Sequence, residues 1–269
     1  MSETNPAPWF NCQKNGHPCR LRLFCFPYAG GSALIYRGWL NYLPPGISVW
    51  PVQLPGRGSR YKETPYVSMP EVVNAVTKAI EPFLDLPFVF FGHSMGAMMG
   101  FELAHAVRER FQLQPKHLFV SGSSGPHLPR DTPNIHDLPD DQFIRKLKEL
   151  NGTPPEVFEN PELMLMMMRT LRADFAIAET YSPCSGPPLD CPITAFGGQD
   201  DDLVLRQALE AWKIHSTSSF NSWVLPGNHF FIHTSDTIVL QILSQQIRTI
   251  LGEIDNVSDF NLEGKHEAT

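Results

Sequence analysis

The sequence predicts an α/β fold, with a mostly parallel central sheet, helices on both faces and a helical cap inserted over one end. Three observations lead there. Apolar runs of strand length alternate with segments of helical periodicity, as in βαβ units whose crossovers lay helices on both faces of a sheet. One run, Pro87-Phe88-Val89-Phe90-Phe91, is wholly apolar, as a strand buried on both faces must be. Between about residues 126 and 183 the alternation stops and only helices are predicted, over a stretch far longer than a typical connection. The expected organisation is a flexible N-terminal arm at 1–19 and one domain at 20–252 carrying the cap at about 126–183, followed by a polar C-terminal tail at 253–269.

Each element has its own local reason. Arg20 to Pro27 is rich in Phe and Leu and reads as a strand buried on at least one face; it ends in Pro27-Tyr28-Ala29-Gly30-Gly31-Ser32. Tyr36, Trp39, Leu40 and Leu43 suggest a short apolar helix, followed by a strand over Ile47 to Gln53 that Leu54-Pro55-Gly56-Arg57-Gly58 breaks into a loop. Ser68-Met69-Pro70-Glu71 has the form of a capping box, and Val72, Val73, Val76, Ala79, Ile80 and Phe83 recur behind it at helical spacing. After the Pro87–Phe91 strand come a helix from about Met95 to Arg110 and a strand over His117 to Gly122. The cap helices are expected at Pro139 to Leu150 and Pro161 to Tyr181. Alternation then resumes with a strand at Pro192 to Gly197, a helix around Leu203 to His215, a strand at Phe220 to Leu225 and a last helix from Ser235 to Leu251.

Composition removes several function classes. The 269 residues carry 28 Asp and Glu against 21 Lys and Arg, a formal net charge of -7, and a nucleic-acid binder needs clustered cations to displace counterions. No apolar run approaches the roughly 18 to 20 residues of a bilayer span, and the N-terminal segment has neither a basic nor an apolar targeting region. The expectation is a cytoplasmic protein that binds neither nucleic acid nor membrane. Five cysteines without a C-x-x-C pair suit a reducing compartment. The seven-residue spacings of Cys12 with Cys19 and of Cys184 with Cys191 are wide for zinc half-sites, so free thiols are expected.

The strongest chemical signal is Gly92-His93-Ser94-Met95-Gly96. It joins an apolar strand to a helix, so Ser94 falls on a tight turn where both flanking glycines are needed to avoid collision. The helix N-terminus directs free amides and positive dipole at the attacking centre. A serine hydroxyl needs a base, and of the ten histidines His229 fits, because it follows a strand and turn and precedes the final helix, completing the order Ser, acid, His of the α/β-hydrolase fold. His233 is the reserve; His93 leaves the turn in another direction, and His105 and His117 read as packed or surface residues. Asp200, Asp201 and Asp202 all follow the strand that ends near Phe196. Asp201 is chosen because Gly198, Asp201 and Val204 meet a G-x-x-D-x-x-V spacing, leaving Asp200 and Asp202 solvated or capping a helix. The oxyanion of a tetrahedral intermediate would be met by the Met95 amide and by Ala29, with Tyr28 as the neighbouring choice. Neither G-x-G-x-x-G nor G-x-x-x-x-G-K-[ST] occurs. Met164, Met166, Met167 and Met168 read equally as an acyl-binding channel or as helix packing, and Asp174 and Glu179 as salt-bridging or capping groups.

Six segments together carry a closer likeness. F-P-Y-A-G-G-S-A (Phe26 to Ala33), L-P-G-R-G-S-R (Leu54 to Arg60), G-H-S-M-G-A-M-M-G-F-E-L-A (Gly92 to Ala104), L-R-A-D-F (Leu171 to Phe175), G-G-Q-D-D (Gly197 to Asp201) and L-P-G-N-H-F-F (Leu225 to Phe231) resemble the type II thioesterases. These are stand-alone α/β hydrolases that accompany nonribosomal peptide and polyketide synthetases. Asn228 stands where many of them have a second glycine. The resemblance implies that thioesters are cleaved from the phosphopantetheine arm of acyl or peptidyl carrier-protein domains, clearing stalled or misprimed groups, with no metal or bound cofactor. A monomer is expected. The rivals are a medium-chain fatty acyl-carrier thioesterase, a general carboxylesterase or peptidase, and a non-catalytic carrier-binding module.

Overall fold

Six strands pair in parallel in the order β2-β1-β3-β4-β5-β6: β1 (Leu21–Phe26), β2 (Ile47–Pro51), β3 (Phe88–His93), β4 (Leu118–Ser121), β5 (Ile193–Gly198) and β6 (Phe220–Leu225). This is a computed structural model, and it describes residues 8–130 and 132–263. Because side chains alternate across a strand, Phe24, Phe26 and Phe90 enter one core while Leu23, Cys25, Val89 and Phe91 enter the other. The first core is covered by α1 (Met69–Ile80) and α2 (Met95–Phe111), through residues such as Val76, Met99 and Leu103. The second is closed by Tyr36, Trp39 and the long final helix.

The chain order changes direction at β1, so the switch point lies between β1 and β3. Open α/β sheets bind ligands outside the carboxyl ends of their strands at such a point. The loop after β1 and the turn after β3 both lie there, and they touch.

Between β4 and β5 run α3 (Asp140–Leu150), α4 (Pro155–Glu159) and α5 (Pro161–Glu179). They share a small core of their own, built on Phe143, Leu147, Val157, Met164, Met168 and Leu171. Asn160 starts α5 by accepting a hydrogen bond from the Leu163 amide at 3.1 Å, with Pro161 in the first turn. At its other end the Glu179 carboxylate accepts from the Ile135 and His136 amides, which ties the chain entering the cap to the helix leaving it.

Several elements depart from the sequence expectation. The N-terminal arm expected at 1–19 is held to the sheet: Phe10 is 6% exposed in the first core and bridges Val52, and Gln13 bridges Val49. Residues 1–7 of that arm lie outside the described residues. At the other end, α7 (Phe231–Thr234) is followed by α8 (Asp236–Glu263), which runs through Gly252, so 253–263 of the expected polar tail continues the last helix; 264–269 lie outside the described residues. The short apolar helix is two 3-10 turns, Ala33–Tyr36 and Trp39–Tyr42, and β2 stops at Pro51, where Pro removes a ladder donor. The Leu203–His215 helix is α6 (Arg206–Glu210) with a 3-10 turn over Ala211–His215. In the expected capping box, Ser68 Oγ bonds Glu71 Oε2 at 2.9 Å instead of the two side chains serving backbone amides.

Candidate active site

β3 delivers the chain to Ser94, which has φ 53° and ψ −118° and immediately precedes α2. A non-glycine residue at such angles is strained and is held only by its surroundings. The hold is visible: the Ser94 amide donates to the Ser121 carbonyl of β4 at 2.7 Å. The flanking glycines are required by backbone proximity. A Cβ on Gly92 would lie 2.0 Å from the Gly96 carbonyl oxygen, and one on Gly96 would lie 2.1 Å from that of Phe26. The second approach also brings the loop after β1 against the first turn of α2.

Three expected side chains form one hydrogen-bonded line. Asp201 Oδ2 is 2.8 Å from His229 Nδ1, and His229 Nε2 is 3.0 Å from Ser94 Oγ. An ionised carboxylate only accepts, so Nδ1 carries the proton and Nε2 presents its lone pair to the serine hydroxyl. The other carboxylate oxygen, Oδ1, accepts from the Leu203 and Val204 amides at 2.9 and 3.1 Å, which fixes the plane of the group. Asp201 is 5% exposed, whereas Asp200 and Asp202 face solvent. The acid and histidine loops are laced together, with the Gln199 amide on the Leu225 carbonyl at 2.7 Å and the Asp200 amide on that of Gly227 at 2.9 Å.

The other histidines are engaged elsewhere. His233 Nε2 is 2.8 Å from Tyr28 Oη. His93 is fully buried with Nδ1 on Ser121 Oγ at 2.8 Å; burial, then the neighbouring His229 and His233, hold its pKa well below the ordinary imidazole value. His117 bonds Thr194 Oγ1 and stacks on Phe119, and His105 packs edge-on against Phe101 beside Arg108.

Met95 is the first residue of α2, so its amide has no intrahelical acceptor. Across from it, Tyr28-Ala29-Gly30-Gly31 is a tight turn closed by the Gly31 amide on the Tyr28 carbonyl at 2.9 Å, with Gly30 at φ 79°. Positive φ at the third position marks a type II turn and favours glycine there. Serine, imidazole and carboxylate beside the unpaired first-turn amide of α2 can form and hydrolyse an acyl-serine. Of the methionine cluster, Met164 and Met168 pack inside the cap while Met166 is exposed. Two features carried no chemical role in the sequence reading. Phe230 lies edge-on to His229 at 5.3 Å and to Tyr28 at 5.2 Å. Arg57, in the loop after β2, reaches Asp174 on α5. Among the described residues no group of three or more His, Cys, Asp or Glu side chains could hold a metal ion, and no helix is long and apolar enough to cross a membrane.

Comparison with known proteins agrees with this chemistry. Residues 21–247 match the family model described as Thioesterase domain. The gramicidin S biosynthesis protein GrsT of Aneurinibacillus migulanus is 41% identical over 90% of this chain and 95% of its own length. A Brevibacillus parabrevis protein named linear gramicidin dehydrogenase LgrE is 42% identical over 93% of this chain and 96% of its own. Among solved structures, RedJ, a thioesterase from the prodiginine pathway in Streptomyces coelicolor, superposes with a TM-score of 0.80 at 38% identity, covering 87% of this chain and 94% of that one.

Proposed function

The chain belongs to the thioesterase domain family, and from that premise we propose that it hydrolyses acyl, aminoacyl or peptidyl thioesters held on the phosphopantetheine arm of carrier-protein domains. In that role it clears misprimed or stalled groups from a nonribosomal peptide or polyketide synthetase. The observation that carries the reading is the Asp201–His229–Ser94 line, at 2.8 and 3.0 Å, in a chain 41% identical to a gramicidin S biosynthesis protein.

His229 Nε2 takes the Ser94 proton as Oγ attacks the thioester carbon. The oxyanion is met by the Met95 and Ala29 amides, which are worth most in a site that excludes water. Collapse breaks the carbon–sulfur bond, and the imidazolium returns its proton to the departing pantetheine thiol. A water then attacks the acyl-serine while His229 takes its proton, and Ser94 leaves reprotonated with the acid as product. Asp201 holds the tautomer and stabilises the imidazolium without taking a proton. Every step draws on this chain's side chains, its amides and water, and a single chain supplies them all. The reading places the enzyme in the cytoplasm with its carrier partners.

The domain plan goes with this reading. Residues 20–252 act as one catalytic unit, since Ser94 precedes the cap while Asp201 and His229 follow it, and the cap screens the acyl group entering the site. The redox chemistry in the name of the Brevibacillus relative finds no support in the chain, which lacks a G-x-G-x-x-G turn after β1.

The test is mass spectrometry of acyl groups remaining on a carrier protein after incubation with wild type or Ser94→Ala. Loss with wild type alone is expected. Equal loss with both proteins would sink the reading, and a preference for medium-chain fatty acyl groups over aminoacyl groups would move it to fatty acid synthesis.

A further inference from the structure

Cap helix α5 does more than lie across the strand ends: three of its residues grip the loops that follow β1 and β2. Thr170 Oγ1 donates to the Gly56 carbonyl at 2.7 Å. Leu171 fills the space beside Gly30, where a Cβ would meet its Cδ2 at 2.6 Å. Asp174, 1% exposed, accepts from the Gly30 amide at 2.7 Å and from both ends of the Arg57 fork, with Nη2 on Oδ1 at 2.7 Å and Nη1 on Oδ2 at 2.5 Å. Arg57, 8% exposed, also donates to the Gly31 carbonyl at 3.0 Å, and its own carbonyl accepts from Gln53 Nε2 at 3.1 Å.

A buried ion pair is weak evidence for stability, since desolvating both charges offsets much of their attraction. What this pair does achieve is geometric. Type I and type II turns differ by a flip of their central peptide, here Ala29–Gly30. Asp174 accepts the N–H of that peptide, and Arg57 holds the carbonyl at the exit of the turn. The turn is thus fixed at its central peptide and at its exit, the two points that follow the residue whose amide would face Ser94.

We infer that Arg57 and Asp174 are positioning residues which keep the Ala29 amide aimed at the oxyanion, making the cap helix a part of the catalytic frame. The inference rests on the reading of Ser94 and Ala29 given above. Such donors act only within about 2.7–3.1 Å of the developing oxyanion, and losing one costs on the order of 100- to 1,000-fold in kcat. Partial misalignment falls below that ceiling. It lowers kcat rather than raising KM, because the bond strengthens in the transition state.

The test uses the full chain as wild type, Asp174→Asn, Arg57→Lys, and the double variant Arg57→Met with Asp174→Leu, which strands no buried charge. Thermal unfolding, kcat and KM on octanoyl-pantetheine, and the Kd of octylboronic acid are measured; the boronic acid forms a tetrahedral adduct on a serine oxygen. In a double variant that unfolds like wild type, kcat should fall about 10- to 100-fold with KM little changed. Boronic acid affinity should weaken in proportion to kcat/KM, and Arg57→Lys should recover part of the loss. Unchanged kcat and boronic acid Kd in the folded double variant, or a loss confined to KM, overturns the inference. If the double variant does not fold, Asp174→Asn decides on the same criteria. A wild type that neither hydrolyses octanoyl-pantetheine nor binds the boronic acid overturns the underlying function instead, and the inference with it.

Discussion

The imidazoles of His93 and His229 lie 5.3 Å apart, centre to centre, yet only His229 reaches Ser94. His93 neighbours the serine in sequence, but strand alternation turns its side chain beneath the elbow that Gly92 to Gly96 form around Ser94, where Nδ1 meets Ser121 Oγ at 2.8 Å. Burial keeps it neutral, so no second cation competes with the imidazolium at His229. His93→Gln should therefore retain the acidic limb of the kcat/KM profile, while His229→Gln should lose roughly 10,000-fold or more in kcat. A shifted acidic limb in His93→Gln would show that His93 shares the titration.

What the sequence made legible is local. The elbow is written in five consecutive residues, and the spacing of Gly198, Asp201 and Val204 singles out one of three adjacent carboxylates because only Asp201 turns inward to cap the Leu203 and Val204 amides. What it hid is non-local. Phe10 looks like one aromatic in a polar arm, and nothing nearby in sequence tells it that Phe24, Trp50 and Phe83 will surround it. Gly252 reads as a helix stop, but an exposed glycine costs a helix only about 1 kcal/mol, and α8 continues through it. The union of Arg57 with Asp174 spans 117 residues and two structural units, so each motif was visible while their contact was not.

His117 makes stability sensitive to acid. Burial lowers its pKa to about 4, below the ordinary 6.5. Above pH 6.5 the group is neutral in both states and contributes no pH dependence. As pH falls from about 6.5 toward 4, the unfolded chain takes up a proton that the folded one refuses, and stability is lost; below about 4 the loss levels off. By pH 5 this amounts to about 2 kcal/mol for this residue. Urea unfolding of wild type and His117→Gln at pH 7.5 and pH 5 should show the wild type losing that much more than the variant. Parallel losses would place the acid sensitivity elsewhere.

Gly96→Ala should fail for a backbone reason. The new Cβ would lie 2.1 Å from the Phe26 carbonyl oxygen and 2.8 Å from that of Pro27, neither of which can swing aside as a side chain could. The elbow and the loop after β1 must part, with a destabilisation of about 4 kcal/mol or more. Soluble yield and urea midpoint are the measurements; a midpoint close to wild type would mean that the two segments separate at little cost.

Gly152 offers the complementary case, in which the obstacle is a side chain and the damage should be catalytic. It follows α3 in the cap, and a Cβ there would fall 2.2 Å from Phe230 Cζ and 2.7 Å from Cε2. That ring is the free end of a rotatable side chain, so the fold can survive if the ring moves. But Phe230 is the next residue after His229 and packs edge-on against its imidazole at 5.3 Å, so displacement of the ring passes to the base. A misplacement of about 1 Å at a reacting group can cost about 100-fold. Gly152→Ala should therefore lower kcat/KM by about tenfold with little change in unfolding temperature, and Phe230→Ala, which removes the obstacle, should restore part of it in the same chain. The double-variant cycle should give a coupling of about 1 kcal/mol or more. Strict additivity of the two substitutions would show that the cap does not act on His229 through this ring.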